Sequence, residues 1–397
     1  MAKLTVKDID FKDKKVLIRC DFNVPLDDSL KITDDTRIRE SLPTIQYVLK
    51  NQAKKVILAS HLGRPDGKVV DKLRLNPVAD RLKTLLKENV AKLDDCIGPQ
   101  VKGRIDTSPE RIILLENLRF HPEEEKNDPV FAKELASLAD IYINDAFGTA
   151  HRAHASTEGV TKYLTSVAGF LLEKEIKYLG QLLEKPKKPF VAILGGVKVS
   201  DKILVIENLL DKIDSLLIGG GMAYTFLKVQ GKEIGNSKFE ADKVNVARDI
   251  LEKAKEKKVN IYLPIDNIVA DKFDAQAIIK LEGENIPTGW IGLDIGPKSV
   301  RLFNSVLKTA KTIVWNGPLG VFEMAPFSKG TTDVAKFISK LRATKVIGGG
   351  DTAACIMKLG LSKKMTHVST GGGASLEFLE GKALPGIAAL TDKESIK

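Results

Sequence analysis

The first half of the chain places arginine and histidine residues directly after short apolar runs that are typical of β-strands. The predicted strands are Lys15–Cys20, Lys55–Ala59, Arg111–Leu115 and Ile141–Asn144. Parallel sheets bind ligands at the carboxyl ends of their strands, so these residues should lie at one sheet edge. Guanidinium groups bind carboxylate and phosphate oxygens through paired hydrogen bonds. The sequence therefore predicts a site for a small polyanion, among Arg19, Arg37, Arg64, Arg119, Arg152, His61, His121, His151 and His154.

The second half of the chain places glycines, rather than cations, after its predicted strands. Glycine lets the backbone approach a phosphate closely, and a following helix N-terminus offers unpaired N–H groups to an anion. One such turn is weak evidence, but repeated turns at one sheet edge predict a nucleotide site. The strands are Phe190–Leu194, Ser215–Ile218, Asn260–Leu263, Thr312–Trp315, Lys345–Ile347 and Thr366–Ser369, and the glycines lie within Gly195–Gly196, Gly219–Gly221, Gly317–Gly320, Gly348–Gly350 and Gly371–Gly373.

Two other kinds of nucleotide chemistry fit the sequence less well. The chain contains no G-x-x-x-x-G-K-[ST] motif, which excludes a P-loop enzyme at the level of motifs. Gly348, Gly350 and Ala353 match the spacing of a dinucleotide fingerprint, but the next strand ends in Ser369-Thr370 rather than in an acidic residue. An NAD-linked dehydrogenase therefore remains an alternative that the pattern disfavours.

The charge of the chain favours anionic partners. Its 397 residues include 62 Lys and Arg against 52 Asp and Glu, a net charge of +10. The basic residues are dispersed, with no basic block, zinc-finger spacing or aromatic-rich RNA motif, so nucleic acid is not expected as a partner. A non-catalytic anion-binding protein remains the alternative from another functional class.

The sequence also predicts a cytoplasmic protein with no membrane partner. No apolar run approaches the length that spans a bilayer, and the first residues lack a signal-peptide pattern. Cys20, Cys96 and Cys355 are far apart in sequence, so neither a disulfide framework nor a zinc site is expected.

The alternation of strands with helical patterns predicts an α/β fold with parallel sheets. Apolar residues at Leu172, Ile176, Leu179 and Leu183 predict one amphipathic helix, and the prolines that follow at 186 and 189 end it. We interpret this helix and hinge as the connection between two lobes. Further helices are predicted at Pro77–Glu88, Asp201–Asp211, Ala241–Lys257 and Thr332–Leu341.

Several segments together resemble the phosphoglycerate kinase family, in the family's order and from residue 16 to about residue 386. Val197, where many members carry alanine, is a minor departure beside a glycine turn. The resemblance implies two doubly wound parallel-sheet (Rossmann-like) lobes. The matching segments are Arg19–Pro25, His61–Pro65, Leu115–Phe120, Gly148–His154, Leu194–Lys202, Trp315–Pro318 and Gly348–Thr352.

The resemblance also implies a reaction and a division into domains. The reaction is the reversible transfer of a phosphoryl group from 1,3-bisphosphoglycerate to ADP, giving 3-phosphoglycerate and ATP in glycolysis, with Mg²⁺ and closure of the lobes. The family is usually monomeric. The implied domains are 1–171 with 380–397 for the acidic substrate, 172–185 for the connecting helix, and 186–379 for the nucleotide.

Individual roles follow from the same resemblance. Asp351 would bind Mg²⁺, and Arg37, Lys202, Gly350 and Gly373 would act on the phosphoryl group in transfer. The acidic substrate would contact Asp21, Asn23, Arg37, His61, Arg64, Arg119 and Arg152. The nucleotide would contact Gly195, Lys198, Lys202, Gly220, Gly292, Leu293, Asn316, Glu323, Gly349, Gly350, Asp351 and Thr352.

Overall fold

The computed structural model describes residues 2–396, which form two compact units. The first unit contains residues up to 177 together with those from 383 onward, and the second contains Tyr178–Lys382. Within the described residues, no helix is both long and apolar enough to cross a membrane.

A parallel six-stranded sheet forms the centre of the first unit. Its strand order is β3-β4-β2-β1-β5-β6. Every residue of β1 after Lys15 is buried, as expected for a parallel strand that helices cover on both faces. The strands are β1 (Lys15–Cys20), β2 (Lys55–Ala59), β3 (Val90–Lys92), β4 (Ile112–Leu114), β5 (Ile141–Asp145) and β6 (Thr165–Ala168).

Helices connect these strands, and the C-terminal segment packs on the same unit. Thr391 donates its backbone N–H to Ser166 and accepts from Leu4, both at 2.9 Å. A short helix at Pro385–Ala388 precedes this contact. The other helices are α1 (Thr36–Lys50), α2 (Asn76–Leu86), α3 (Pro99–Thr107), α4 (Pro122–Glu125), α5 (Pro129–Ala136) and α6 (Phe170–Glu184), the last of which continues into the second unit.

The second unit repeats the parallel architecture and adds a small antiparallel sheet. Its parallel sheet has the order β15-β14-β13-β7-β8-β9, and the antiparallel sheet has the order β11-β10-β12. The strands are β7 (Phe190–Leu194), β8 (Ser215–Ile218), β9 (Asn260–Tyr262), β10 (Asn267–Ala270), β11 (Ile279–Glu282), β12 (Ile291–Ile295), β13 (Thr312–Asn316), β14 (Thr344–Gly348) and β15 (His367–Val368).

Helices again cover the parallel sheet of this unit. Phe303, Trp315 and Ile338 belong to the apolar cluster between the sheet and its helices, and all three are fully buried. The helices are α7 (Ile203–Leu210), α8 (Met222–Val229), α9 (Val244–Glu256), α10 (Pro297–Leu307), α11 (Lys329–Ser339), α12 (Gly350–Lys358) and α13 (Gly373–Leu379).

The predicted fold class is confirmed, and the differences are local. The predicted connecting helix lies within α6, and most predicted strands agree with the structure to within one residue at each end. The sequence missed β3, β6 and the whole antiparallel sheet. The helix predicted at Asp201–Asp211 starts two residues too early, because α7 begins at Ile203 and Lys202 is its N-cap.

Candidate active site

In the sheet of the first unit, the order in which the chain adds strands reverses between β1 and β5. The chain proceeds from β1 to β2 on one side and returns to β5 and β6 on the other, which makes the β1–β5 boundary a topological switch point. Cys20 pairs with Asp145 at the ends of these two strands. The loops that follow carry Asp21 and Asn23 on one side and the segment 146–154 on the other, so the predicted polyanion residues begin at the expected edge.

Asp21 and Asn23 connect the β1 loop to its neighbours. The buried Asp21 carboxylate forms an ion pair with Arg37, which lies in the first turn of α1. The Asn23 side-chain oxygen accepts a hydrogen bond from the backbone N–H of Gly63 at 2.8 Å, in the loop after β2. These contacts bring the loops after β1 and β2 and the start of α1 together.

Arg119 extends this group toward the loop after β4. Its guanidinium donates to the carbonyl of Gly63 at 2.9 Å and lies 3.2 Å from the Glu125 carboxylate. Arg64 is exposed, and Arg152 is half-buried in the loop after β5. The structure therefore places the predicted substrate residues in the loops at one end of this sheet and in the first turn of α1.

Arg19 and His121 differ from the polyanion prediction. Arg19 is fully buried, and its guanidinium donates to Ser156 Oγ at 2.8 Å and to the Cys20 carbonyl. The Arg19 guanidinium also lies 3.2 Å from His61 Nδ1. Arg19 therefore helps to hold the His61 ring in place. His121 instead contacts Asp95, 2.7 Å away, in the loop after β3.

The two buried histidines of this site are neutral at physiological pH. Burial lowers the pKa of His61 well below its usual range, and the charges of Arg19, Arg119 and Arg37 add to that effect. Burial and the same kind of arginine repulsion lower the pKa of His154 to about 3. The positive charge of the site therefore resides on its arginines, while the imidazoles offer neutral hydrogen-bonding groups.

Replacing His154 with glutamine should weaken the dependence of stability on acid pH. The unfolded chain protonates this histidine below about pH 6.5, whereas the folded pKa is about 3. Stability is therefore lost as the pH falls from about 6.5 toward 3. Urea unfolding of both proteins at several pH values measures this slope, and an unchanged slope in His154→Gln would show that His154 does not cause it.

The second unit has its switch point between β7 and β13. The chain runs from β7 to β8 and β9 on one side and from β13 to β14 and β15 on the other. Gly195 donates its backbone N–H to the Asn316 carbonyl, and Gly196 donates to Pro318, both at 3.0 Å. The glycine turns after these two strands therefore lie side by side.

A cavity of about 1260 Å³ opens at this switch point. Every residue that the sequence assigned to the nucleotide lines it, and so does Gly373. At one side the glycine Gly349 adopts a φ of +81°, which other residues rarely reach, and α12 begins directly after it. The cavity therefore combines a helix N-terminus with closely approaching backbone, as an anionic ligand requires.

Lys202 and Asn316 supply polar side chains to the cavity. The Lys202 ammonium donates to the side-chain oxygen of Asn316. Burial lowers the pKa of Lys202, while the charges of Asp201, Asp351 and Glu380 oppose that shift. The buried Asn316 Nδ2 has no hydrogen-bond partner among the described residues, so a donor stays available to a ligand oxygen. Thr352 Oγ1 accepts from Gly317 N at 2.7 Å and orders the β13 turn.

The sequence missed several other residues that line the cavity. Tyr224, Asn236, Lys238, Phe273 and Ile291 all contribute to its wall. None of them directly follows a strand of the parallel sheet. The expectation that ligands bind at the carboxyl ends of such strands therefore did not identify them. They belong to α8, to the loop before α9, to the loop between β10 and β11, and to β12.

Gly292 should be essential for the shape of the cavity wall beside Tyr224. A Cβ at Gly292 would overlap the hydroxyl of Tyr224, which is itself buried. Overpacking of this kind costs about 1–3 kcal/mol, so we expect Gly292→Ala to raise the KM for nucleotide about tenfold and leave the KM for the acidic substrate unchanged. Gly283→Ala is the matched control, because nothing lies within 4 Å of its added Cβ. Equal KM values for nucleotide in the two variants would contradict this role.

The cavity also contains a carboxylate suited to a hard divalent cation. Asp351 is exposed in the first turn of α12 and lines the cavity. Mg²⁺ typically binds one or two protein carboxylates and completes its coordination with phosphates and water. A carboxylate at a helix N-terminus beside an anion site fits that pattern.

The two parallel sheets, one with a cationic switch point and one with a glycine-lined cavity, define an α/β enzyme for phosphorylated substrates. Comparison with known proteins identifies the family. The family model described as phosphoglycerate kinase matches residues 6–382. The chain therefore belongs to the phosphoglycerate kinase family, whose members are transferases of glycolysis.

Relatives and solved structures agree over the full length. The chain is 58% identical to the phosphoglycerate kinase of Acidobacterium capsulatum, covering 99% of this chain and 100% of the relative. It is 56% identical to that of Moorella thermoacetica, with the same coverage. The solved phosphoglycerate kinase structure from Coxiella burnetii matches with a TM-score of 0.88 at 43% identity and covers 98% of each chain. The structure from Pyrococcus horikoshii matches with a TM-score of 0.85 at 33% identity and the same coverage.

Proposed function

We propose that the chain transfers a phosphoryl group directly between 1,3-bisphosphoglycerate and ADP, with Mg²⁺, and that its two switch-point sites bind these two substrates. The observation that carries the proposal is the cavity of the second unit. All the nucleotide residues implied by the family resemblance line it, although they come from distant parts of the sequence.

The cationic site of the first unit is proposed to bind 3-phosphoglycerate or 1,3-bisphosphoglycerate. Its arginines supply bidentate donors for phosphate and carboxylate oxygens. The Asn23 and Arg119 contacts to Gly63 hold these groups in place. The residues proposed to contact the substrate are Asp21, Asn23, Arg37, His61, Arg64, Arg119 and Arg152.

The cavity of the second unit is proposed to bind ADP or ATP. The apolar wall at Gly292 and Leu293 accepts the base, and Glu323 lies among the lining residues for the ribose. Lys198, Lys202 and the N-terminus of α12 contact the phosphates. Asp351 would hold Mg²⁺, which supplies charge neutralisation on the phosphate oxygens when it is bound.

The residues present suit phosphoryl transfer without a general base. In the direction that consumes ATP the attacking group is a carboxylate, which is already ionised near neutral pH. His61 accordingly needs no role as a base, and its lowered pKa keeps it a neutral ligand group. The chain's contribution is alignment and charge stabilisation, through Arg37, Lys202 and the backbone N–H groups of Gly350 and Gly373.

A coupled assay tests the proposed function. The protein should form ATP from 1,3-bisphosphoglycerate and ADP, only when Mg²⁺ is present. In a thermal-shift panel, Mg-ADP should stabilise the protein and NAD should not. Stabilisation by NAD alone would favour a dehydrogenase, and stabilisation by phosphoglycerate without any turnover would favour a non-catalytic anion binder.

We further propose that the first unit is the acidic-substrate domain, that the second is the nucleotide domain, and that they close for transfer. The reacting atoms must come within about 3–3.5 Å. Small-angle X-ray scattering should therefore show a smaller radius of gyration with 3-phosphoglycerate and Mg-nucleotide together than with either alone. A radius that is constant in all four states would refute closure. By analogy with the family, we propose that the chain is a monomer and is cytoplasmic. Size-exclusion chromatography tests the oligomeric state.

A further inference from the structure

A group of potential metal ligands lies in the first unit, among residues that the proposed reaction does not use. Asp95 and Cys96 follow β3, and His121 follows the short turn after β4. One ligand atom from each of the three residues lies within 4.8 Å of the other two. It is the only such group of three or more His, Cys, Asp and Glu within residues 2–396.

Two of these potential ligands, His121 and Asp95, are already in direct contact. The His121 Nε2 and Asp95 Oδ1 atoms are 2.7 Å apart. Around a tetrahedral zinc ion, with bonds of about 2.0–2.3 Å, neighbouring donor atoms are about 3.3–3.7 Å apart. The His121 and Asp95 ligand atoms would therefore have to separate by about 1 Å to bind the same zinc ion. Cys96 is fully buried, whereas His121 and Asp95 reach the surface and give an entry path.

The charges around Cys96 favour a cation. The carboxylates of Asp95, Glu124 and Glu116 lie close enough to Cys96 to act on it electrostatically. The same carboxylates attract a divalent ion. Lys92 and Arg74 pair with Glu116, so part of its charge is compensated, whereas Asp95 forms no such pair with a lysine or arginine among the described residues.

The surrounding contacts hold the ligands in position. The Cys96 backbone N–H donates to Asp95 Oδ1 at 2.7 Å. The Glu116 backbone N–H donates to the Asp95 carbonyl at 3.3 Å, which connects the loops after β3 and β4. The His121 ring packs against Phe131, with ring centroids 5.4 Å apart. Such supporting contacts orient metal ligands in known sites.

Other roles of this cluster fit less well. A cysteine–histidine nucleophile requires an accessible sulfur, and Cys96 is fully buried. A disulfide requires a second cysteine, and Cys20, Cys96 and Cys355 are all free. The sequence argued against zinc because the cysteines are far apart, but the fold needs only one of them when a histidine and an aspartate join it.

We propose that Asp95, Cys96 and His121 form a binding site for Zn²⁺, with water completing its coordination. As the sulfur–metal bond forms, the Cys96 thiol releases its proton to solvent, and the imidazole keeps one proton on the nitrogen that does not bind. The bound ion connects the loops after β3 and β4. It thereby stabilises the first unit near Arg119 without entering the reaction.

Spectroscopy with Co²⁺ as the probe tests the site directly. Metal-stripped full-length protein should bind one equivalent of Co²⁺ and show the charge-transfer absorption of a cobalt–thiolate bond. Cys96→Ser should abolish this band, and His121→Gln should weaken Co²⁺ binding by at least about tenfold. Cys355→Ser is the matched control, since it removes a buried thiol of the other unit and should leave the band intact. Zn²⁺ should displace Co²⁺ and raise the melting temperature of the wild type but not of His121→Gln.

Three results would overturn the site. These are a wild type without the thiolate band, a band that survives in Cys96→Ser, and Co²⁺ binding that is equally tight in His121→Gln. If Cys96→Ser fails to fold, the half-exposed His121 still decides the matter, because its replacement disturbs little of the core. None of these outcomes depends on turnover, so they are independent of the proposed function.

Discussion

Arg37→Ala is expected to lower kcat by about 10³–10⁵, the usual cost of losing an arginine that stabilises a phosphoryl group in transfer. The KM for 3-phosphoglycerate should change far less. Arg37 lies in the first turn of α1 and pairs with the buried Asp21, with 34% of its side chain exposed. A guanidinium anchored by one carboxylate keeps its other N–H groups for oxygens that gain charge during transfer. It thus contributes to the transition state more than to the bound substrate.

Two further variants separate this role from a structural one. Arg37→Lys keeps the charge but loses the guanidinium fork, so it should restore thermal stability and recover little of kcat. Arg39→Ala removes an exposed arginine two residues along the same helix, whose partner is Asp35 at 2.8 Å, and should retain normal kinetics. If Arg37→Ala retains kcat and raises only the KM, Arg37 binds the ground state and the proposed role is wrong.

The expectation that ligands bind after parallel strands led to these candidate sites, because the six-stranded sheet of each unit is parallel. Strands β7 and β8 consist largely of continuous apolar runs, and their bounds were predicted without error. The glycines and charged residues that follow them therefore lie at the switch points. The antiparallel sheet escaped prediction because β11 is exposed on both faces and carries alternating charges, Ile279-Lys280-Leu281-Glu282, instead of an apolar run.

The side-chain partners were not predictable in the same way. Arg19 follows the same local pattern as the other arginines, and only the fold shows that Ser156, 137 residues away, accepts its hydrogen bond. His121 likewise resembled a site residue until the structure placed it beside Asp95. A sequence shows which residues end a strand, whereas the packing of distant loops decides which side chains stay free for a ligand.

Asp351→Asn is expected to lower turnover with Mg-nucleotide about a hundredfold or more, because loss of even a supporting group commonly costs about 10–100-fold in metal affinity or activity. Asp351 lies in the first turn of α12 and lines the cavity. A carboxylate there would repel phosphates unless a cation lay between them. The competing role is that of a favourable charge at a helix N-terminus, which typically contributes about 0.3–1 kcal/mol.

The two roles of Asp351 predict opposite results. Asparagine keeps the size and a polar oxygen but lacks the negative charge, so a metal role predicts near-normal melting and a higher Mg²⁺ concentration for half-maximal turnover. Asp333→Asn removes a half-buried carboxylate of α11 that pairs with Lys329 at 3.2 Å, and it should leave the Mg²⁺ dependence unchanged. Earlier melting of Asp351→Asn with normal turnover at every Mg²⁺ concentration would mean that the carboxylate stabilises α12 and does not bind the metal.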